Sequence, residues 1–201
     1  DEILVGGAMA YTFMKAAGQE VGSSRVETVV VDKKGVEKPV LKMAYEILEL
    51  ARAKGIRITL PIDHVVTQKV AAGAPTKVVD TLEAGWSGID IGPKTRELFQ
   101  SKLAGAKTAL WNGPMGMFEI SGFDAGTVAI AHSFAEITKK GALTIVGVWF
   151  EEGFDPLAER GFVEAFAAAL RDFQRFVGAR KVSFPRSRVG RALGQAVRAL
   201  G

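Results

Sequence analysis

The sequence predicts a mixed α/β fold, a single domain of three layers with a mostly parallel sheet. Apolar segments of strand length alternate with segments whose apolar residues recur at helical spacing. Glycines, often next to a proline, separate these segments. A chain of 201 residues is long enough to bury one substantial core. This alternation places helices on both faces of the sheet.

The first half of the chain is predicted to contain two helices. A strand at 3–5 runs into Gly6-Gly7, and the helix that follows, from about Met9 to Ala17, ends at Gly18. In this helix Met9, Tyr11 and Phe13 are expected to pack in the core. The second helix spans 38–54 and carries an apolar stripe. Strands or extended segments are predicted at 28–31, 56–60, 65–71, 76–79 and 86–91.

The second half continues the same alternation. Pro93 begins a helix that ends near Leu103, a strand follows at 106–111, and a helix at 122–138 precedes an apolar strand at 142–146. A further strand, helix, strand and helix are predicted within 148–201. If they extend the same sheet, the whole chain forms one Rossmann-like domain.

Composition excludes several classes of protein and site. The chain has no cysteine and only two histidines, which excludes disulfides and thiolate catalysis and argues against a histidine metal site. No apolar stretch is long enough to span a membrane, so no membrane partner is expected. Residues 1–7 do not resemble a secretory signal, and we expect a cytoplasmic protein.

The use of basic residues changes near Gly147. Residues 1–147 contain 13 Lys and 4 Arg, whereas residues 148–201 contain 1 Lys and 8 Arg. Such a change is typical of a join between sequences of different origin. The second part is therefore predicted to be a foreign segment that completes the sheet, and a diverged natural protein is the less favoured alternative.

Three strand-to-turn corners are rich in glycine, and we expect them to line one crevice at the carboxyl edge of the sheet. In these corners the backbone of Gly6-Gly7 is open to a flat base, Ile89 could pack on the face of that base, and Glu119 could accept hydrogen bonds from sugar hydroxyls. Asn112 can both donate and accept. A tight turn without a ligand is the alternative for any one corner taken alone. The corners are Gly6–Phe13, Gly88–Thr95 and Trp111–Glu119.

In order and spacing these motifs, G-G-A-M-A-Y-T-F, D-I-G-P-K-T and W-N-G-P-M-G-x-F-E, closely resemble the nucleotide-binding, C-terminal half of phosphoglycerate kinase. The resemblance covers about residues 1–147. It implies binding of ADP or ATP and phosphoryl transfer involving a glycerate carboxyl phosphate. By position, it implies that Gly6, Gly7 and Ala8 border the adenine, that Gly88 and Ile89 form its other wall, that Asn112 and Pro114 lie near ribose and phosphates, and that Glu119 binds the ribose.

The sequence departs from the family after Gly147. The family has a Gly-Gly-Gly-Asp loop there that holds phosphate and Mg²⁺, whereas this chain has Val148-Trp149-Phe150-Glu151-Glu152. Glu151, Glu152 and Asp155 could bind a metal, but a solvated acidic helix start is the favoured interpretation. The family's glycerate-binding domain has no counterpart in this sequence either. We therefore expect no catalytic residue and no family-type Mg²⁺ site, and a missing domain or chain as a potential partner.

Two other functions are compatible with the sequence. The chain could be an engineered or chimeric α/β scaffold without activity. A nucleic-acid interface is the less favoured alternative, because several of its basic residues fit the solvated face of a terminal helix. That interface would use Arg180, Lys181, Arg186, Arg188, Arg191 and Arg198.

Overall fold

A computed structural model describes residues 1–32 and 34–147. The chain divides into two compact units. The first unit contains Asp1–Lys102 and Gly113–Ile130, and the second contains Leu103–Asn112 and the chain from Ala131 onward. The prediction of one domain over 1–201 includes residues 148–201, which lie outside the described residues. It stays a prediction, as do the foreign origin and the elements assigned to that segment.

The described residues form four helices and nine strands. The helices are α1 (Gly7–Ala16), α2 (Val40–Ala53), α3 (Pro93–Leu103) and α4 (Ala125–Lys139). The strands are β1 (Glu2–Leu4), β2 (Val29–Val31), β3 (Glu37–Pro39), β4 (Arg57–Thr59), β5 (His64–Thr67), β6 (Thr76–Val79), β7 (Ser87–Ile91), β8 (Thr108–Asn112) and β9 (Leu143–Gly147). None of these helices combines the length and the apolar content that a membrane crossing requires.

The strands pair into small sheets rather than the single sheet that the sequence predicts. In the first unit β1 pairs in parallel with β4, β2 pairs antiparallel with β3, and β5 lies antiparallel between β6 and β7. In the second unit β8 pairs in parallel with β9. The mixed α/β class is confirmed. The connection 68–75 between β5 and β6 is too short for the crossover that parallel pairing needs, which explains the antiparallel pairing of these two strands.

Helix α1 supplies side chains to two apolar clusters of the first unit. Ala10 and Phe13 pack with Val5 and Ala44, and Tyr11 and Met14 belong to the second cluster, with Val21, Val66 and Leu82. The core positions predicted for Tyr11 and Phe13 are confirmed. The prediction for Met9 is wrong, because this residue lies in the first turn of α1 and is 63% exposed. Packing on both sides fixes where α1 begins.

A buried carboxylate caps the start of α3. Asp63 is fully buried and accepts hydrogen bonds from the backbone N–H groups of Lys94 (2.9 Å) and Thr95 (2.7 Å). The Thr95 hydroxyl also donates to Asp63, at 2.6 Å. Gly92 leaves room for this carboxylate, since a Cβ there would overlap it. The Asp63 charge thus satisfies helix N–H groups that have no partner within the helix.

Candidate functional site

The first predicted corner is the turn from β1 into α1. The N–H of Val5 donates to the Thr59 carbonyl at 3.0 Å, which extends the pairing of β1 up to the turn. Gly6 is the N-cap of α1 with an extended backbone, and Gly7 has φ +63°. A Cβ on Gly6 would overlap the Met115 sulfur, and one on Gly7 would lie 2.8 Å from the Pro114 carbonyl oxygen. Gly7 therefore lets another backbone segment approach closely, and Gly6 leaves room for the Met115 side chain.

That segment is the 113–119 loop, which backbone hydrogen bonds join to the other two corners. The N–H of Gly7 donates to the Met115 carbonyl at 3.0 Å, and the N–H of Met117 donates to the Ile89 carbonyl at 2.8 Å. The N–H of Met115 also donates to the Thr127 hydroxyl of α4, at 3.1 Å. The first unit thus brings 6–7, 88–89 and 113–119 together, which is the juxtaposition expected from the sequence.

The second corner, at Gly88 and Ile89, is tightly packed against other residues of the first unit. A Cβ on Gly88 would overlap the Tyr11 ring, so this glycine makes room for a core side chain of α1. Burial raises the pKa of the Tyr11 hydroxyl, and the nearby Asp90 charge adds to the rise. The Ile89 side chain is only 2% exposed. A base could reach that side chain only after neighbouring atoms move, and the adenine wall at Gly88 and Ile89 stays a prediction.

Asp90 is a site residue that the sequence analysis did not single out. Its carboxylate is 2% exposed and accepts hydrogen bonds from the backbone N–H groups of Ile91 (2.8 Å) and Gly126 (2.6 Å). Burial raises the pKa of the Asp90 carboxyl to about 6; the two hydrogen bonds and the Arg96 charge oppose this rise, and the Asp124 charge adds to it. The sequence does contain a signal for this role. Asp90 is an acidic residue inside an otherwise apolar strand, just before a Gly-Pro turn.

Several predicted contact residues are exposed on or next to these corners. Ala8, Pro114 and Glu119 are all exposed. Within the described part of the chain, the Glu119 carboxylate has no hydrogen-bond or ion-pair partner. A carboxylate of this kind can accept two hydrogen bonds from neighbouring hydroxyls of a sugar. The loop also exposes two apolar side chains, Met117 at 39% and Phe118 at 50%.

Asn112 belongs to the second unit. It is the exposed last residue of β8 and is paired in register with Gly147 of β9. Its predicted place near ribose and phosphates stays a prediction. The alternative metal ligands Glu151, Glu152 and Asp155 and the basic residues at 180–198 lie outside the described residues.

The described residues do not provide a metal site. Over 1–32 and 34–147, no group of three or more His, Cys, Asp or Glu side chains could hold an ion. An open depression of about 540 Å³ in the first unit is lined partly by Met14, His64, Asp80 and Leu82, and by none of the predicted contact residues. The candidate site is instead the junction of the three corners. Its glycines allow close approach of the backbone, and its Glu119 carboxylate, which no described residue engages, can accept hydrogen bonds.

Comparison with known proteins gives consistent matches. The phosphoglycerate kinase family matches residues 1–148. Phosphoglycerate kinase of Thermosipho africanus is 52% identical over 150 residues, which are 73% of this chain and 35% of the relative. The chloroplastic phosphoglycerate kinase of Volvox carteri is 48% identical over 149 residues, which are 73% of this chain and 30% of the relative. The chain thus spans about a third of the length of these curated relatives.

Solved structures agree at the level of the fold. The structure of phosphoglycerate kinase from Coxiella burnetii matches with a TM-score of 0.69 and 30% identity, over 99% of this chain and 44% of that chain. Phosphoglycerate kinase from Pyrococcus horikoshii matches with a TM-score of 0.53 over 98% of this chain and 46% of that chain. At 23% identity the second match concerns the fold alone.

Proposed function

Because this chain belongs to the phosphoglycerate kinase family, we propose that residues 1–148 are the nucleotide-binding, C-terminal part of such a kinase and bind ADP or ATP mainly through the adenosine. The observation that carries the proposal is the pair of backbone hydrogen bonds, Gly7 to Met115 and Met117 to Ile89, that joins the three corners. Family membership supports the proposed ligand class, and the junction supports the three corners as the proposed binding position.

Each part of the adenosine would have its own contacts. The base would lie against the backbone of Gly6, Gly7 and Ala8, beside the Met115 side chain that packs on Gly6. The ribose hydroxyls would donate to Glu119, whose carboxylate is exposed and not engaged by described residues. Pro114 would lie near the ribose and the phosphates. These assignments rest on the matched family motifs together with exposure and backbone approach.

Phosphoryl transfer is not expected from this chain alone. Transfer depends on positioning and on neutralising the charge of the phosphates with Lys, Arg and Mg²⁺. The matched region corresponds to about 35% of the length of full relatives such as the Thermosipho enzyme. After Gly147 the sequence continues with Val148-Trp149-Phe150-Glu151-Glu152, which offers bulk and negative charge instead of a glycine loop. Catalysis would also require the elements that the relatives carry outside the matched region.

We infer a separate origin for residues 148–201. Support comes from the family match, which ends at residue 148, and from the switch to arginine as the main basic residue. A foreign segment of this kind would complete the fold without restoring the phosphate site.

Isothermal titration with adenosine, AMP and ADP, with and without Mg²⁺, tests the proposal. We expect all three to bind with similar, weak dissociation constants, within about threefold, because added phosphates gain few contacts. A steep preference for nucleotides bearing more phosphates, dependent on Mg²⁺, would contradict this. Absence of any binding heat would favour the inactive scaffold.

A matched pair of glycine variants locates the binding site. Gly6→Ala would place a Cβ against Met115, whereas Gly105→Ala places a Cβ in open space, and neither residue has positive φ. Gly6→Ala should therefore weaken adenosine binding and Gly105→Ala should leave it unchanged. Equal affinities for the two variants would move the site away from the first corner.

A further inference from the structure

The Asp90 carboxylate lies between two glycines that belong to the candidate site or adjoin it. A Cβ on Gly116, in the 113–119 loop, would overlap the carboxylate, and so would a Cβ on Gly126, in the first turn of α4. The same carboxylate accepts the N–H of Gly126 at 2.6 Å. One buried side chain of β7 is thus in close contact with both the loop and the start of the next helix.

Asp90 lies beside two hydrogen bonds that connect the 113–119 loop to β7 and to α4. Met117 is tied to β7 through the Ile89 carbonyl, and Met115 is tied to α4 through the Thr127 hydroxyl. Asp90 follows Ile89 directly and binds the turn of α4 that carries Thr127. A displacement of Asp90 would therefore disturb both anchors of the loop at once.

We infer that Asp90 is a positioning residue, which holds the 113–119 loop in the geometry that places Pro114 and Glu119 against a nucleoside. The inference rests on the proposed function. Asp90 is too deeply buried to touch the ligand itself, and it acts through Gly116 and Gly126.

Three charged or titratable groups from different parts of the first unit lie near Asp90. Arg96 of α3 favours the ionised carboxylate, Asp124 before α4 disfavours it, and the Tyr11 hydroxyl of α1 is buried nearby. An ionised Asp90 accepts two backbone hydrogen bonds. Protonation removes part of this acceptor capacity and also removes the buried charge, so the packing of the loop on Asp90 should change as the carboxyl titrates.

Asp63 provides a matched control for a substitution at Asp90. It is also a buried carboxylate that accepts backbone N–H groups at a helix start, but it serves α3 and makes no described contact with the loop. Asp90→Asn and Asp63→Asn therefore remove the same charge and one acceptor each. General loss of stability should affect both variants alike.

Amide hydrogen exchange of the ligand-free protein is the first measurement. Asp90→Asn should speed exchange of the Met115 and Met117 amides by about tenfold or more, as expected for loss of one buried hydrogen bond. Asp63→Asn should leave these two amides unchanged. Unchanged exchange in Asp90→Asn, or equal acceleration in both variants, would overturn the inference.

The dissociation constant of adenosine between pH 5 and pH 8 is the second measurement. Adenosine is used because a nucleotide phosphate itself titrates near pH 6. The dissociation constants of the wild-type chain and of Asp63→Asn should change several-fold in one step near pH 6, because both retain Asp90. Asp90→Asn should bind weakly with no such step. A step of the same size in Asp90→Asn would exclude Asp90 as its source and overturn the inference.

The two measurements separate the inference from the proposed function. If the wild-type chain binds no adenosine, the proposed function fails, and the exchange data still decide whether Asp90 holds the loop. If Asp90→Asn does not fold, Gly116→Ala replaces it, since its Cβ presses on the same carboxylate from the loop side. Gly105→Ala is then the control. Equal loop exchange in these two glycine variants would also overturn the inference.

Discussion

The amide of Gly7 and the carbonyl of Met115 form a 3.0 Å hydrogen bond between the first turn of α1 and the 113–119 loop. Gly7 adopts φ +63° to make this contact. The bond joins two segments that are adjacent only because the first unit folds as a whole.

Replacing Gly7 by alanine should destabilise the chain by about 2–4 kcal/mol, because the strained φ and the overlap with a fixed carbonyl add together. Gly55→Ala is the control, since Gly55 has a similar φ of +67° but open space around its Cβ position. It should cost only about 1–2 kcal/mol. Urea unfolding measures the loss of unfolding free energy in both variants. Equal losses would show that the close approach to Pro114 does not affect stability.

Gly88→Ala should cost about 1–3 kcal/mol through overpacking against the Tyr11 ring. Neither Gly88 nor its control Gly105 has positive φ, so backbone strain does not enter the comparison. Gly105→Ala should change stability by less than about 0.5 kcal/mol. Thermal unfolding measures both. A stable Gly88→Ala protein that no longer binds adenosine would instead indicate direct contact between Gly88 and the ligand.

Glu119→Gln should remove discrimination between adenosine and 2′-deoxyadenosine. In the wild-type chain loss of the hydroxyl should weaken binding by about tenfold, because the charged carboxylate loses a hydrogen-bond donor. In Glu119→Gln the two ligands should bind within about twofold of each other. Competition titrations provide the four dissociation constants. The same ratio in both proteins would exclude Glu119 as the ribose ligand.

Asp90 should lower the stability of the chain as pH rises from 4 to 7. The folded chain holds the Asp90 proton up to about pH 6, whereas the unfolded chain releases it near the ordinary value of 3.8. The folded state therefore binds more protons between these values, and stability is lost with rising pH, by about 2–3 kcal/mol in total. Because other carboxyls titrate as well, the measurement is the difference between wild type and Asp90→Asn. A difference that does not change with pH would contradict this prediction.

The elements that were predicted well have strong local signals. The structure has α3 at Pro93–Leu103, as predicted, because Pro93 and Gly105 mark its two ends. Strand β3 was missed and its residues were partly assigned to the second helix. It has three exposed residues, including Lys38 and Pro39, and it exists only through pairing with β2. The separation of the strands into small sheets depends on long-range contacts, which hydrophobic periodicity does not report.

The candidate site, like the fold, was predicted from the sequence only in part. Glycines and prolines at 6–7, 88 and 113–116 predict the corners, and the structure brings these corners together. The roles of Asp63 and Asp90 were not predicted, because a buried carboxylate is stabilised by the N–H groups of helices that lie far away in the sequence. Which acidic residue receives them is a property of the folded chain.

The long sequence separation of Gly7 and Met115 has a consequence for folding kinetics. Their hydrogen bond closes a loop of about a hundred residues, and closing that loop costs chain entropy. The candidate site should therefore be among the last parts of the first unit to form. Added adenosine should then slow unfolding and leave the refolding rate unchanged.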